Sequence, residues 1–198
     1  MNERTSSRFS FLMTVFSLIT LFLVLNIFEK HLNLYMIRIL NLCAIYVILG
    51  VSLNLIFGIT GQFSLGHAGF MAVGSYTCAL LTMPVIQKKM TFIITPLIYP
   101  FNVVQLPFFL AIVMGGLAAA GFGFLIGAPV LRLKGDYLAI ASLGFAEIVR
   151  ILANNLTSLT NGALGLKGIP QLTTLNWSWG WVVIALFVIR RLISSSYG

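Results

Sequence analysis

Two stretches of this sequence hold residues that could do chemistry amid surroundings that offer almost none. The first is Gly58-Ile59-Thr60-Gly61-Gln62-Phe63-Ser64-Leu65-Gly66-His67-Ala68-Gly69, which sets four glycines, a Gln, a Ser and a His between two apolar runs. A surface turn needs only two or three polar residues. A longer polar, Gly-rich stretch is irregular backbone, tolerated at membrane depth only where protein buries it or an aqueous cavity borders it. Ser64 is placed to cap a following helix, whose first N–H groups would then favour a carboxylate. Gln62, Ser64 and His67 are thus candidates to line a substrate path; a plain cytoplasmic turn is the alternative. The second stretch holds Glu147 and Arg150, three residues apart on a helical pattern with Leu143 and Asn154 on the same ridge. That spacing lets the two charges pair. Charges inside a bilayer are costly, so the pair either is structural, near the outer interface, or forms a polar gate on a transport path.

Other chemistries lack their residues. His31 and His67 lie in different connectors, and Cys43 and Cys78 sit singly inside apolar blocks, where they read as buried structural thiols. No HExxH, Ser/His/Asp set or carboxylate pair occurs, so neither a metal centre nor an enzyme is expected. There is no GxxxxGK[ST] phosphate loop, so the chain is expected to carry no cofactor of its own. If transport is ATP-driven, partner subunits must hydrolyse the ATP.

The elements that must position these residues follow from composition. Of 198 residues, 59% are hydrophobic and only 8% charged, with a mean hydropathy of +1.02. A soluble domain usually has about a quarter of its residues charged, so the solvent here is lipid. The net charge of +8 does not indicate nucleic acid, because the twelve Lys and Arg residues fall mostly in short connectors, as membrane-surface anchors do. The fold class expected is all-α and polytopic, a single transmembrane domain over residues 1–198. About six membrane segments are expected: 9–28, 39–57, 64–83, 108–128, 137–153 and one from Trp179 to Arg190-Arg191. The first has a basic start like a signal peptide, but it is too long and no cleavage site follows, so it reads as an uncleaved span. Trp177, Trp179 and Trp181 suggest an interfacial aromatic belt.

Basic residues set the orientation. Placing the N-terminus in the cytoplasm puts Arg4, Arg8, Arg132, Lys134, Arg190 and Arg191 inside, against Lys30, Arg38, Lys88, Lys89 and Lys167 outside. Gly116, Ala120, Gly123 and Gly127 form a small-residue stripe of the kind that lets helices pack closely.

The polar stretch carries a further signal. Residues Leu53 to Ala68 resemble the signature of the M-type permease subunit of bacterial branched-chain amino acid ABC importers. The likeness resumes at Leu131-Arg132-Leu133-Lys134-Gly135-Asp136-Tyr137-Leu138-Ala139-Ile140-Ala141 and at Phe145 to Arg150. It ends with Asn161-Gly162 and Gly165-Leu166-Lys167-Gly168-Ile169-Pro170. The resemblance implies a bacterial inner-membrane protein working with a second, H-type permease, two cytoplasmic ATPases and a periplasmic binding protein that delivers leucine, isoleucine or valine. Urea or short-amide importers have similar sequences, and a secondary transporter or channel is a further alternative. Members of the family continue into a loop that docks on the ATPase. This sequence closes on Ser194-Ser195-Ser196-Tyr197-Gly198, so the expectation is a chain that stops before that coupling element.

Overall fold

The computed structural model describes residues 3–93, 96–133 and 135–195, with side chains from residue 16 onward. Arg4, Arg8, Lys134 and residues 196–198, all used above, therefore have side chains outside the described residues. The described chain is helical throughout its ordered elements: α1 (Glu3–His31), α2 (Leu34–Asn54), α3 (His67–Thr82), α4 (Val85–Thr91), α5 (Phe108–Val130), α6 (Asp136–Asn155), α7 (Thr157–Thr160) and α8 (Leu175–Ile193). The expected segments 9–28, 108–128, 137–153 and the one from Trp179 fall within α1, α5, α6 and α8, whereas 39–57 runs past the end of α2 into a π-helical turn and 64–83 overhangs α3 at both ends. Three spans are long and apolar enough to cross a membrane, Leu34–Ile59, Phe108–Val130 and Leu175–Ile193. The pair α3 and α4, bent by 118°, would make a fourth. Helices and qualifying spans thus differ in number among the described residues. The segment around 137–153 is helical as α6, but with Glu147 and Arg150 on an exposed face it is not a uniformly apolar span.

Contacts divide the chain into two compact units, Met1–Ser52 with Thr173–Gly198, and Leu53–Leu172. In the first, Thr174 caps α8 by accepting the Trp177 N–H at 3.3 Å. Asn176 of α8 donates its Nδ2 to Asn26 Oδ1 of α1 at 2.9 Å. Such an amide pair satisfies polar groups that lipid cannot. Lys30 and His31 end α1 and Arg190 and Arg191 end α8, where cations complement the negative end of the helix dipole.

The second unit is built on close backbone approach. A Cβ on Gly115 of α5 would stand 2.8 Å from Gly74 O and 3.2 Å from Cys78 Cβ of α3. One on Gly69 of α3 would stand 3.2 Å from Ala146 Cα of α6. Glycine at these two points is what allows α3 to lie directly against both neighbours. Pro129 sits in the last turn of α5, and Gly135, with φ +60° and ψ −135°, turns the chain into α6. That backbone region belongs essentially to glycine. Asp136 follows in the first turn of α6, where a carboxylate favours the helix N-terminus.

Two expectations about buried and exposed side chains are reversed. Lys88, expected at the membrane surface, is fully buried, and its Nζ donates to Phe101 O at 2.8 Å and Val104 O at 2.6 Å. The two carbonyls take the place of water, and the lysine clasps the 99–107 connector to α4. Cys43, expected to be buried, is exposed on α2, while Cys78 is half-buried. In a lipid-facing helix an apolar run does not imply burial, because apolar side chains face outward as readily as inward.

Candidate functional site

The site begins where α2 loses its regular hydrogen bonding. Residues Leu55–Ile59 form a π-helical turn, with Thr60 N–H donating to Leu55 O at 3.3 Å and Gln62 N–H to Ile56 O at 3.2 Å. Asn54 Oδ1 lies only 2.8 Å from where a Cβ on Gly58 would be, so its side chain occupies the space glycine leaves. Single π turns inside α-helices recur at functional sites. Gly61, at φ +63°, then takes the chain out of the helix.

Residues 61–65 are irregular and rejoin a helix at α3. Its capping position is Gly66 with no side-chain cap, so the expectation that Ser64 caps this helix is corrected. Ser64 lies further back, in the segment before the helix. The segment is held instead by Ser142 of α6, whose Oγ accepts the Leu65 N–H at 2.9 Å and donates to Ala139 O at 2.9 Å. Ser142 is buried at 5% exposure. Beside the break, Phe63 meets Phe57 edge-on with ring centroids 4.8 Å apart.

The break, α3, α5 and α6 together border a half-open cavity of about 250 Å³. Its wall is largely apolar, with Phe70, Val73, Ile126 and Phe145 among the contributors. Gly69, Gly123, Gly127 and Ala146 add small residues, and Thr60, Gln62, Ser64 and Ser142 supply the polar side chains. Ile126, Val130 and Leu138 behind this wall form a buried cluster with Phe70 and Phe145 packed on it.

Of the residues singled out from sequence, the structure brings Gln62, Ser64, Gly123 and Gly127 to this cavity. His67 opens α3, half-buried, and is not among the lining residues. Glu147 and Arg150 form the i,i+3 pair that their spacing suggests: Arg150 Nε donates to Glu147 Oε2 at 2.9 Å, and Nη2 meets Oε1. Both are exposed on α6, away from the cavity wall to which the same helix gives Phe145, Ala146 and Val149. Gly116 and Ala120 are exposed on α5, and a Cβ on Gly116 would meet nothing within 4 Å. Sequence reasoning missed Ser142. Its signal was a single hydroxyl in the apolar run Ile140-Ala141-Ser142-Leu143, which on an amphipathic helix suggests a hydrogen bond inward.

Comparison with known proteins identifies the family. The family model described as branched-chain amino acid transport system / permease component matches residues 35–193. Over 137 residues the chain is 44% identical to the high-affinity branched-chain amino acid transport system permease protein LivM of Escherichia coli (strain K12). It is 42% identical over the same length to the protein of that name from Salmonella typhimurium (strain LT2). Each alignment covers 69% of this chain and 28% of the relative, so the chain matches little more than a quarter of either protein's length. No solved structure matches the chain. The π turn, the polar break and the α6 ion pair lie within the region matched by the family model, and the chain belongs to the branched-chain amino acid transport system permease family.

Proposed function

We propose that the chain serves as a membrane permease subunit of an ATP-driven importer for leucine, isoleucine and valine, with the broken helix and its cavity on the transport path. The observation that carries this reading is the cavity itself: an apolar chamber bordered by polar side chains from a helix break. Irregular backbone bordering a cavity is how transporters place substrate sites within a membrane. The family supports the substrate class. In this reading Gln62 and Ser64 border the path and His67 stands at the start of the helix beyond it, while Glu147 and Arg150, on the α6 face turned away from the cavity, form a structural ion pair. A second permease completes the path, two cytoplasmic ATPases drive it, and a periplasmic binding protein supplies the solute. The chain would lie in a bacterial inner membrane with its N-terminus in the cytoplasm.

The test is uptake of labelled leucine in cells with and without the gene, restored from a plasmid. Excess unlabelled isoleucine or valine should compete, and urea should not. Uptake should fail on ATP depletion yet survive collapse of the proton gradient while ATP is maintained. Unchanged uptake on deletion, in cells with no other leucine carrier, would refute the proposal.

A further inference from the structure

The cavity between α3, α5 and α6 has a division of chemistry that bears on what occupies it. Three of its four polar side chains, Thr60, Gln62 and Ser64, come from one short run of backbone and so share one part of the wall. Thr60 Oγ1 donates to Ile56 O at 2.6 Å and can still accept, and the fourth, Ser142, already spends its hydroxyl on Leu65 N–H and Ala139 O. The remaining wall is aliphatic and aromatic, and no lining residue among those described is charged. A net ionic ligand would lose its hydration there without a counter-charge. A ligand with an apolar body and polar groups gathered at one end meets matching surfaces. Size narrows the choice further. A dry cavity of about 150 Å³ lined by Leu, Ile and Phe can hold a benzene ring. A cavity of about 250 Å³ accommodates a four-carbon branched side chain with room to spare, yet lies below the roughly 300–1,000 Å³ of pockets for drug-sized ligands.

The volume depends on glycine. A Cβ on Gly123 would approach only Phe70 Cε1, at 3.8 Å, which is ordinary contact. A side chain at 123 can therefore be accepted by the backbone while its bulk enters the cavity. On the same helix, a Cβ on Gly121 meets nothing within 4 Å, and Gly121 is not a lining residue.

We propose that this cavity seats the aliphatic side chain of the transported amino acid, with its amino and carboxylate groups held at the Thr60–Gln62–Ser64 wall, and that Gly123 sets the size of side chain admitted. The inference rests on the importer reading above and assigns that transporter's path to one cavity of this chain. The same aliphatic chemistry could come from a lipid acyl chain, and the test separates the two sources.

The experiment uses the assembled transporter in native membranes and a leucine analogue with a diazirine in its side chain. Gene-dependent leucine uptake is measured first on the same cells. Photolysis should then place adducts on the Phe70–Val73 and Phe145–Val149 segments, suppressed by excess leucine and not by lysine. Gly123→Leu should lower adduct yield by about tenfold or more, the scale on which apolar pockets discriminate size. Gly123→Ala should lower it partly, and Gly121→Leu should leave it unchanged. The milder Gly123→Ala keeps the test valid if the leucine variant does not accumulate. Gene-dependent uptake with adducts confined elsewhere would overturn the seat while leaving the importer reading intact. Cavity adducts that leucine does not suppress would also overturn it, and would indicate a resident acyl chain. Uptake independent of the gene would overturn both.

Discussion

Replacing Gly115 and Gly116 separately with Ala places the same methyl group at neighbouring points of α5 that face different surroundings. At 115 the new Cβ stands 2.8 Å from Gly74 O and 3.2 Å from Cys78 Cβ. Ordinary contact begins near 3.4 Å, so α3 and α5 must part by about 0.6 Å, and the nearer obstacle is backbone that cannot swing aside. Overpacking of this kind costs about 1–3 kcal/mol. The gain in helix propensity from Gly to Ala returns up to about 1 kcal/mol. Gly115→Ala should therefore be destabilising by about 0–3 kcal/mol.

At 116 the Cβ meets nothing within 4 Å. Only the propensity gain remains, and Gly116→Ala should be neutral or stabilising by up to about 1 kcal/mol. The propensity term is common to both variants, so their difference isolates the steric term, about 1–3 kcal/mol. For a chain of this length about 2–4 °C of melting temperature corresponds to each kcal/mol. Thermal unfolding of the two variants, purified in one detergent, should thus separate them by several degrees, with Gly115→Ala lower. Coincident melting curves would show that α3 and α5 do not approach at Gly74 and Gly115, and the reasoning would fail.

Ser142→Ala removes the acceptor of the Leu65 N–H and should cost about 1–3 kcal/mol, because that N–H then stays partly buried without a partner. Hydrogen exchange at Leu65 and Gly66 should accelerate; unchanged protection would mean the serine does not hold the break. Lys88→Met keeps the length of the side chain but removes the donor to Phe101 O and Val104 O, and charged hydrogen bonds of this kind contribute about 1.5–3 kcal/mol. The 99–107 connector should become sensitive to chymotrypsin at Phe101 in folded protein, and equal resistance would dismiss the clasp. Glu147→Gln and Arg150→Gln should each reduce the yield of folded protein in membranes, since each leaves an unpaired charge on the exposed face of α6, whereas the double substitution should recover it. Equal yields for all three would show that the pair does not act as a unit.

Much of the helical framework was legible because lipid imposes long apolar runs. The expected segments 108–128 and 137–153 fall inside α5 and α6 with small shifts at their ends. The helix break was legible for the same reason: four glycines and four polar side chains between apolar runs cannot continue a lipid-facing helix. Direction within a helix was harder to read. Cys43 and Lys88 were misplaced because in this solvent an apolar neighbourhood marks lipid contact as well as burial, and because a lysine can be buried where backbone carbonyls receive it. The start of α3 shifted from Ser64 to Gly66–His67 because the segment is anchored across space, by Ser142, and not by a local cap.

The glycines of α5 show why the cavity itself could not be read from spacing. Gly115, Gly116, Gly121, Gly123 and Gly127 look alike in sequence, and a repeat of small residues suggests close packing wherever it falls. Their neighbours give them different parts. Gly115 touches α3 so closely that a methyl group would collide with backbone, while Gly116 and Gly121 face open space. Gly123 and Gly127 line the cavity and meet only side-chain atoms at 3.8 Å. The same absence of a side chain thus brings two helices together at one level and leaves room beside them further along α5. Gly69 and Ala146 link the two effects, since the close approach of α3 to α6 at that level also forms part of the cavity wall. Enlarging Gly123 should therefore reduce the cavity with little cost in stability, whereas enlarging Gly69 should separate α3 from α6 and disturb the wall itself.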